Sequence, residues 1–380
     1  MTPESAADEF PLDPALCHLN HAGVAPWPRR AVQAACDFAT ENMRQGSLDY
    51  PRWLRAEQDL RENLGQLLGV ADTEGVALVP STSAGLSLVA HGLSWQAGDE
   101  IVIPAGEFPS NRIVWDALAT RHDVRLVEVA PGRDPEASLI AAMNRRTRLL
   151  SVSAIDYATG LRLDLERLGQ ACRQREILFC VDAIQQLGAL PFDAEACQAD
   201  FVAADGHKWL LGPEGLGVFW CHPKRLDLLQ LNQHGWHMVE QMGHFEAPDW
   251  TPARSARRFE PGSPNMTGIH ALRASTGLLL ETGMTEVAAA LRSRRQYLEA
   301  GLEQLGMAIH SPRDTARDSG ILVFSHPRID ATDLYSRLMD ARVLCARRGR
   351  GVRFSPHFYT PFDTLDRALE HVGEILASTD

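Results

Sequence analysis

Between residues 75 and 220, short apolar runs rich in β-forming residues alternate with gaps that are mostly long enough for a helix. The runs occupy 75–79, 101–104, 125–129, 148–153, 177–181, 200–204 and 216–220. Buried strands that alternate with helices are typical of an α/β sheet covered on both faces. The last gap, 205–215, is rich in glycine and proline and too short for a full crossover helix. It therefore predicts one antiparallel strand in a mostly parallel, mixed sheet.

The pattern changes after about residue 270. Two long amphipathic helical stretches come first, and shorter strands and helices follow, at 267–283, 284–306, 320–325, 331–340, 342–346, 351–355 and 363–377. We predict a large domain over residues 16–270 and a smaller α+β domain made of residues 1–15 and 271–380. The stretch 232–265 is irregular and rich in Trp, His, Pro and Gly, which is typical of site walls and subunit contacts.

Composition argues against several classes of function. A net charge of −12 opposes binding to nucleic acid or to an anionic membrane surface. The sequence contains no apolar run of the ~18 residues that a membrane span needs. The acidic N-terminal segment lacks the features of a secretory leader. The seven cysteines are scattered without a CxxC motif, which indicates reduced thiols. We therefore expect a cytoplasmic protein with no nucleic-acid or membrane partner.

Side-chain amine chemistry has only two candidates, because the 37 basic residues include just two lysines, Lys208 and Lys224. Lys224 begins an amphipathic segment and is predicted to lie on the surface. Lys208 follows the predicted strand 200–204, and Asp182 follows the strand 177–181. Ligands bind at the carboxyl edge of the strands in an open α/β sheet, so Asp182 and Lys208 are predicted to be neighbours there. A plain ion pair is the alternative interpretation.

A Ser/Thr-rich turn at 80–85 follows a predicted strand and begins a helix. Free backbone N–H groups at a helix N-terminus suit a phosphate, although an N-cap by Ser81 or Ser83 explains the turn equally well. A phosphate cradle, a lysine and a carboxylate at one sheet edge together suggest pyridoxal phosphate. The lysine would form the Schiff base, and the carboxylate would pair with the ring nitrogen.

The motif D-x-x-Q at Asp182–Gln185, followed by G-H-K at 206–208, resembles fold-type I, class V pyridoxal-phosphate enzymes. This group contains aminotransferases, cysteine desulfurases, kynureninase and isopenicillin N epimerase, and the resemblance extends from about Leu19 to the last helix. It implies that Lys208 is the Schiff-base lysine and the base at Cα, and that Asp182 is the partner of the ring nitrogen. The other implied cofactor contacts are Gln185 at the phenolic oxygen, Phe108 stacked on the ring, and Ser83, the Ala84 backbone and His207 at the phosphate. Asp205 stands where the family has a small hydroxyl residue, and an acid is unfavourable beside a phosphate.

The resemblance also implies how an amino-acid substrate is bound. Arg353 matches the arginine that grips the substrate carboxylate, and a guanidinium fork suits a carboxylate. Arg347 and Arg348 are second candidates. Asn20 and His21 match a turn that lines the substrate side, with a structural turn as the alternative for His21.

The segment 258–265 resembles the family segment that reaches across a dimer interface. There Ser263 would bind the phosphate of the neighbouring subunit. The resemblance therefore implies a homodimer whose active sites are shared between subunits.

We expect an enzyme that acts on an α-amino acid through an external aldimine and removal of the Cα proton. The chemistry is predicted to be β-elimination of the carbon–sulfur lyase type, with amino transfer to a keto acid or epimerisation as alternatives. Cys345 falls in an apolar run and is predicted to be a strand residue, so no cysteine nucleophile is expected. A non-catalytic binding protein is the rival class, and the intact Asp182, Gln185 and Lys208 set argues against it. No metal is expected at His234, His237 and His244, whose spacing lacks a helix-borne ligand motif.

Overall fold

The computed structural model describes residue 5 and residues 7–378, so part of the acidic N-terminal segment lies outside the described residues. In the described chain the strands are β1 (Cys17–His18), β2 (Val76–Val79), β3 (Glu100–Pro104), β4 (Arg125–Val129), β5 (Thr147–Ser153), β6 (Leu178–Asp182), β7 (Phe201–Asp205), β8 (Gly217–Cys221), β9 (Ala308–Ile309), β10 (Leu322–Ser325), β11 (Val343–Leu344), β12 (Ala346–Arg348) and β13 (Gly351–Phe354). The α-helices are α1 (Arg29–Gln45), α2 (Tyr50–Leu68), α3 (Thr82–Gly92), α4 (Ser110–Arg121), α5 (Pro135–Ala142), α6 (Leu165–Gln174), α7 (Met266–Thr282), α8 (Met284–Gln304), α9 (Ala331–Asp340) and α10 (Phe362–Ala377).

Seven strands form the largest sheet, in the order β2-β8-β7-β6-β5-β3-β4. All neighbouring pairs are parallel except those of β8, which runs antiparallel to both β2 and β7. The strands β6, β7 and β8 are buried at every residue. Apolar clusters cover both faces of the sheet, as expected for strands that read as continuous apolar runs.

The α/β fold with a large mixed, mostly parallel sheet is confirmed. Each of the seven predicted strands lies within one residue of its observed bounds, and the predicted antiparallel strand is β8. The match follows from burial, because strands inside a two-faced sheet need apolar side chains at nearly every position.

A smaller antiparallel sheet has the order β12-β13-β10-β9. The strand β1 pairs in parallel with β11, so a segment near the start of the chain contacts the C-terminal region. The prediction that Cys345 is a strand residue is wrong, because β11 ends at Leu344 and β12 begins at Ala346. The chain changes sheets at this residue, and a continuous apolar run does not reveal such a break.

The stretch 232–265 contains two short 3₁₀ turns, at Trp236–Met238 and Ala256–Phe259, and an isolated bridge between Val239 and Pro252, in agreement with the irregular pattern predicted there. No helix in the described chain combines the length and apolar character that crossing a membrane requires.

Candidate active site

Several side chains meet at the carboxyl edge of the large sheet because the strands that carry them run in the same direction. Asp182 ends β6, and Asp205 ends the neighbouring strand β7, three residues before Lys208. Ser153 ends β5 and lies opposite Asp182 in the register. The sheet order therefore brings together groups that are far apart in the sequence.

Lys208 is only 7% exposed, and its Nζ lies 5.3 Å from the centre of the Phe108 ring. Burial lowers the pKa of Lys208 to about 8, against the opposing effect of Asp182. The next residue anchors the loop, because the Trp209 indole N–H donates to Gln185 Oε1 at 2.9 Å. Gly188 has φ +92°, and a Cβ there would lie 2.3 Å from the Trp209 carbonyl oxygen. The Lys208 loop therefore packs against a backbone position that only glycine can occupy.

Asp182 is 1% exposed, and its Oδ1 accepts a hydrogen bond from the Ile184 N–H at 3.0 Å. Burial raises the pKa of Asp182 to about 6, and this N–H group and Lys208 oppose the rise. A buried carboxylate with acceptor capacity to spare is stabilised by a cationic N–H group placed against it. A protonated ring nitrogen is such a group.

Phe108 lies next to the lysine, and Gln185 contacts Trp209, the residue that follows it. The Gln185 amide donates to the Ala22 carbonyl at 3.1 Å and accepts from Trp209, which leaves one of its N–H groups for a further acceptor. The Phe108 ring makes an edge contact with Tyr157, with ring centres 5.1 Å apart. One face of Phe108 is thus directed to the lysine side of the site.

The Ser/Thr turn forms the N-terminus of α3, and Ser81 is its N-cap. Ser81 Oγ accepts from the Ala84 N–H at 3.2 Å, so this backbone group is already paired. Ser83 is exposed and its hydroxyl donates to Ser110 Oγ at 2.9 Å. The capping interpretation is correct for Ser81, and phosphate binding by Ser83 and the helix N-terminus stays a prediction.

His207 and Asp205 form a pair, with His207 Nδ1 3.1 Å from Asp205 Oδ1. Asp205 Oδ1 also accepts from the Gly206 N–H at 2.8 Å. The Asp205 carboxylate thus lies beside the imidazole, whose Nδ1 has no hydrogen-bond partner among the described residues. This placement explains how an acid is accommodated at a position where the family has a hydroxyl residue.

Ser263 is exposed and lines a groove of about 450 Å³ together with Ala84 and Ser87. Within one chain it therefore lies on the same groove as the start of α3. Its predicted contact with the phosphate of a second subunit stays a prediction.

Arg353 is 1% exposed although it carries a charge. Its Nη1 donates to the Tyr157 carbonyl at 3.0 Å and its Nη2 to Asn20 Oδ1 at 3.2 Å. Burial and the charge of Arg348 lower the pKa of Arg353 to about 9. Its buried Nε has no hydrogen-bond partner among the described residues. An anion bound there would satisfy this donor and offset the cost of burying the charge.

His21 lies beneath this region and is fully buried. One ring nitrogen lies 2.9 Å from the Ser355 carbonyl oxygen, and the other lies 2.7 Å from the Tyr359 hydroxyl. Because both nitrogens have partners, the geometry favours the structural alternative for His21 over direct contact with a substrate.

Glu107 is a buried acid that the sequence did not single out. Its Oε1 accepts from the Ser153 N–H at 2.6 Å, and its Oε2 accepts from the Ser153 hydroxyl. Burial raises the pKa of Glu107 to about 7, and the nearby charge of Asp182 adds to the rise. An acid in a loop before a helix gives no signal of burial, so only the fold reveals this second buried carboxyl near Asp182.

Cys345 is 2% exposed, and burial raises the pKa of its thiol to about 12. Such a thiol carries almost no thiolate near neutral pH and is a poor nucleophile.

The three histidines at which no metal is expected do not meet at one site. His234 and His244 line a cavity of about 620 Å³ that includes none of the predicted site residues. His237 is buried with Glu57 and Glu260, with ligand-type atoms of the three within 4.8 Å of one another. Arg61 donates to both carboxylates, so a guanidinium already occupies the position of a counter-charge.

A buried amine, a buried carboxylate with spare acceptor capacity, an aromatic ring and a helix N-terminus fit pyridoxal phosphate at this edge. The fold and the site thus define a pyridoxal-phosphate-dependent enzyme. The chain belongs to the aminotransferase class V family, whose profile matches residues 18–359.

Relatives align along nearly the whole chain. A probable cysteine desulfurase of Methanothermobacter thermautotrophicus is 29% identical, over 99% of this chain and 98% of that protein. The isopenicillin N epimerase of Streptomyces clavuligerus is also 29% identical, over 97% of this chain and 96% of that protein.

Solved structures show the same fold. The apo cysteine desulfurase of Thermococcus onnurineus NA1 superposes with a TM-score of 0.87 at 22% identity, covering 100% of this chain and 99% of that chain. The cystine C–S lyase C-DES, in complex with its product cysteine persulfide, gives a TM-score of 0.87 at 23% identity, covering 94% and 97%. At this identity the likeness establishes the architecture.

Proposed function

We propose that the protein is a lyase that acts on an α-amino acid by β-elimination, without a cysteine nucleophile. The observation that carries the proposal is the buried Lys208 amine, which lies over the Phe108 ring and interacts electrostatically with Asp182. When bound, pyridoxal phosphate supplies an electron sink for the charge that develops at the substrate Cα. The remaining steps belong to residues of this chain.

Lys208 would hold the cofactor covalently until the substrate amine displaced it, and the freed Lys208 amine would then remove the Cα proton. Its pKa of about 8 leaves a useful fraction of neutral amine near neutral pH, which a general base requires. Asp182 keeps the ring nitrogen protonated, and burial strengthens that interaction because few other dipoles compete. Gln185 and Phe108 orient the ring, while Ser83, His207 and the start of α3 bind the phosphate.

Arg353 binds the substrate carboxylate, and the two hydrogen bonds from its Nη atoms hold the guanidinium in a fixed orientation. Asn20 is the side chain that sets this orientation. A substrate carboxylate held there would fix the orientation of the substrate Cα relative to Lys208.

The absence of a cysteine nucleophile is supported by the burial of Cys345 and the raised pKa of its thiol. Sulfur-transfer enzymes need an accessible thiolate on a loop above the substrate. Here the interval between Cys345 and Arg353 is a tight hairpin made of β12 and β13.

We further infer a cytoplasmic homodimer in which Ser263 contacts the phosphate bound by the partner subunit. In this arrangement residues 16–270 form the cofactor domain, and residues 1–15 and 271–380 form the smaller domain. The accessible position of Ser263 on the groove beside α3 supports this role.

The test uses the two lysines as a matched pair, Lys208→Arg and Lys224→Arg. Arginine stays protonated and cannot form a Schiff base, so Lys208→Arg is expected to fold normally, to stay colourless with pyridoxal phosphate, and to give no adduct after borohydride reduction. Lys224→Arg should become yellow like the parent. Peptide mapping by mass spectrometry then locates the reduced cofactor.

The reaction type is read from a panel of amino acids incubated with the loaded enzyme. Keto acid plus ammonia supports elimination, transfer of the amino group to an added keto acid supports a transaminase, and inversion at Cα supports an epimerase. A parent protein that takes up no pyridoxal phosphate would refute the whole proposal.

A further inference from the structure

The hairpin that carries Arg353 places a second arginine on the same face of its sheet. In the register of β12 and β13, Ala346 lies opposite Arg353, and Arg348 lies opposite Gly351. Opposite residues of an antiparallel pair point to the same face, and residues two apart on one strand do so too. Arg348 and Arg353 are therefore diagonal neighbours on one face, within reach of each other's long side chains. Arg347, between them in register, points to the other face.

This face is directed at the candidate site. Arg353 Nη1 donates to the Tyr157 carbonyl, and Tyr157 contacts the Phe108 ring beside Lys208. At the hairpin turn, a Cβ on Gly349 would lie 3.3 Å from the Ala158 carbonyl oxygen, so the turn itself packs near the same loop. The charge of Arg348 lowers the pKa of Arg353, where it acts with burial, and also that of Lys208, where burial and Asp182 have larger effects.

The two guanidinium groups have no carboxylate partner among the residues that the structure describes. Each has a buried Nε without a hydrogen-bond partner, and Arg348 Nη1 donates only to the adjacent Arg347 carbonyl, at 2.8 Å. Asp156 is the acid that acts on Arg353, but its Oδ1 accepts from the Ala158 and Thr159 backbone N–H groups. Two like charges held close together without a counter-ion destabilise the protein unless an anion binds there.

The α-carboxylate of an amino-acid substrate neutralises only one of the two guanidinium groups. We propose that the substrate is an α-amino acid whose side chain ends in a second carboxylate, with Arg353 binding the α-carboxylate and Arg348 the side-chain carboxylate. This inference rests on the proposed function, because it assigns the substrate class of the same site. Arg348 then determines specificity without taking part in bond breaking.

The experiment measures binding to the holoenzyme through the change in cofactor absorption on titration with ligand pairs of equal shape. The pairs are aspartate with asparagine and glutamate with glutamine, and alanine serves as the neutral reference. We expect the parent to bind the better-fitting acid about tenfold or more tightly than its amide, because a charge-assisted bidentate contact is lost in the amide. Raising the salt concentration should reduce the ratio.

The variants are Arg348→Gln and, as the matched control on the opposite face, Arg347→Gln. Arg348→Gln should bring the acid-to-amide ratio close to one and leave alanine binding unchanged, whereas Arg347→Gln should keep the parental ratio. A parent that binds both members of each pair equally, a ratio that survives in Arg348→Gln, or an equal loss in both variants would overturn the inference. The parental comparison needs no variant, so misfolding of Arg348→Gln cannot hide the answer.

Failure of the underlying function is recognised separately. A protein that forms its cofactor adduct on Lys208 and responds to alanine, but not selectively to acids, retains the proposed function and loses only this substrate class. A protein that forms no adduct on Lys208 fails at the earlier step.

Discussion

Replacing Glu107 by glutamine tests whether this second buried carboxyl, near Asp182, destabilises the folded protein when it is ionised. Glutamine has the same shape, and it can keep both contacts with Ser153 by accepting the backbone N–H and donating to the hydroxyl. The substitution therefore removes a titrating group and leaves the packing almost unchanged.

The expected change in the free energy of unfolding follows from the pKa of Glu107, which burial raises from 4.5 to about 7. A raised carboxyl pKa means that the folded state binds the proton more tightly than the unfolded state, so the stability it contributes is present at low pH and lost as the pH rises. One pKa unit corresponds to about 1.4 kcal/mol. The cofactor-free parent should lose about 3 kcal/mol between pH 4.5 and pH 7 from this group, and Glu107→Gln should not.

The assay is denaturant unfolding of the cofactor-free parent and variant at several pH values from 4.5 to 8, compared as free energies of unfolding. The difference between variant and parent should grow in favour of the variant as the pH rises. Glu195→Gln is the control, because Glu195 is exposed and its carboxyl meets water in both states. A variant-to-parent difference that stays constant across this pH range would refute the reasoning.

Two further predictions concern the substrate side. Asn20→Ala removes the acceptor that orients the Arg353 guanidinium. The KM for the amino acid should therefore rise roughly tenfold while kcat changes little. Steady-state kinetics would contradict this if kcat fell as much as kcat/KM. Cys345→Ser should keep activity within about twofold of the parent, because a buried thiol with a raised pKa is a poor nucleophile, and loss of keto-acid formation would instead assign the reaction to a cysteine.

Local pattern was enough to predict the large sheet, for a clear physical reason. Strands buried on both faces demand apolar residues throughout, and β6 and β7 meet that demand without interruption. The short gap at 205–215 likewise predicted the reversed strand β8. Where burial is uneven the pattern was less informative, as at Cys345, where the chain leaves one sheet and enters another within a single apolar run.

The pattern of residues was enough to identify the groups available for amine and acid chemistry, since Lys208 combines an amine with a predicted place at a strand end, close to Asp182. The charge environment of those groups follows from the fold. Strand register and contacts between distant segments bury Glu107 near Asp182, enclose His21 and place Arg348 and Arg353 on one face. The free energy of a charge depends on the dielectric and the partners around it, and those are properties of the folded chain.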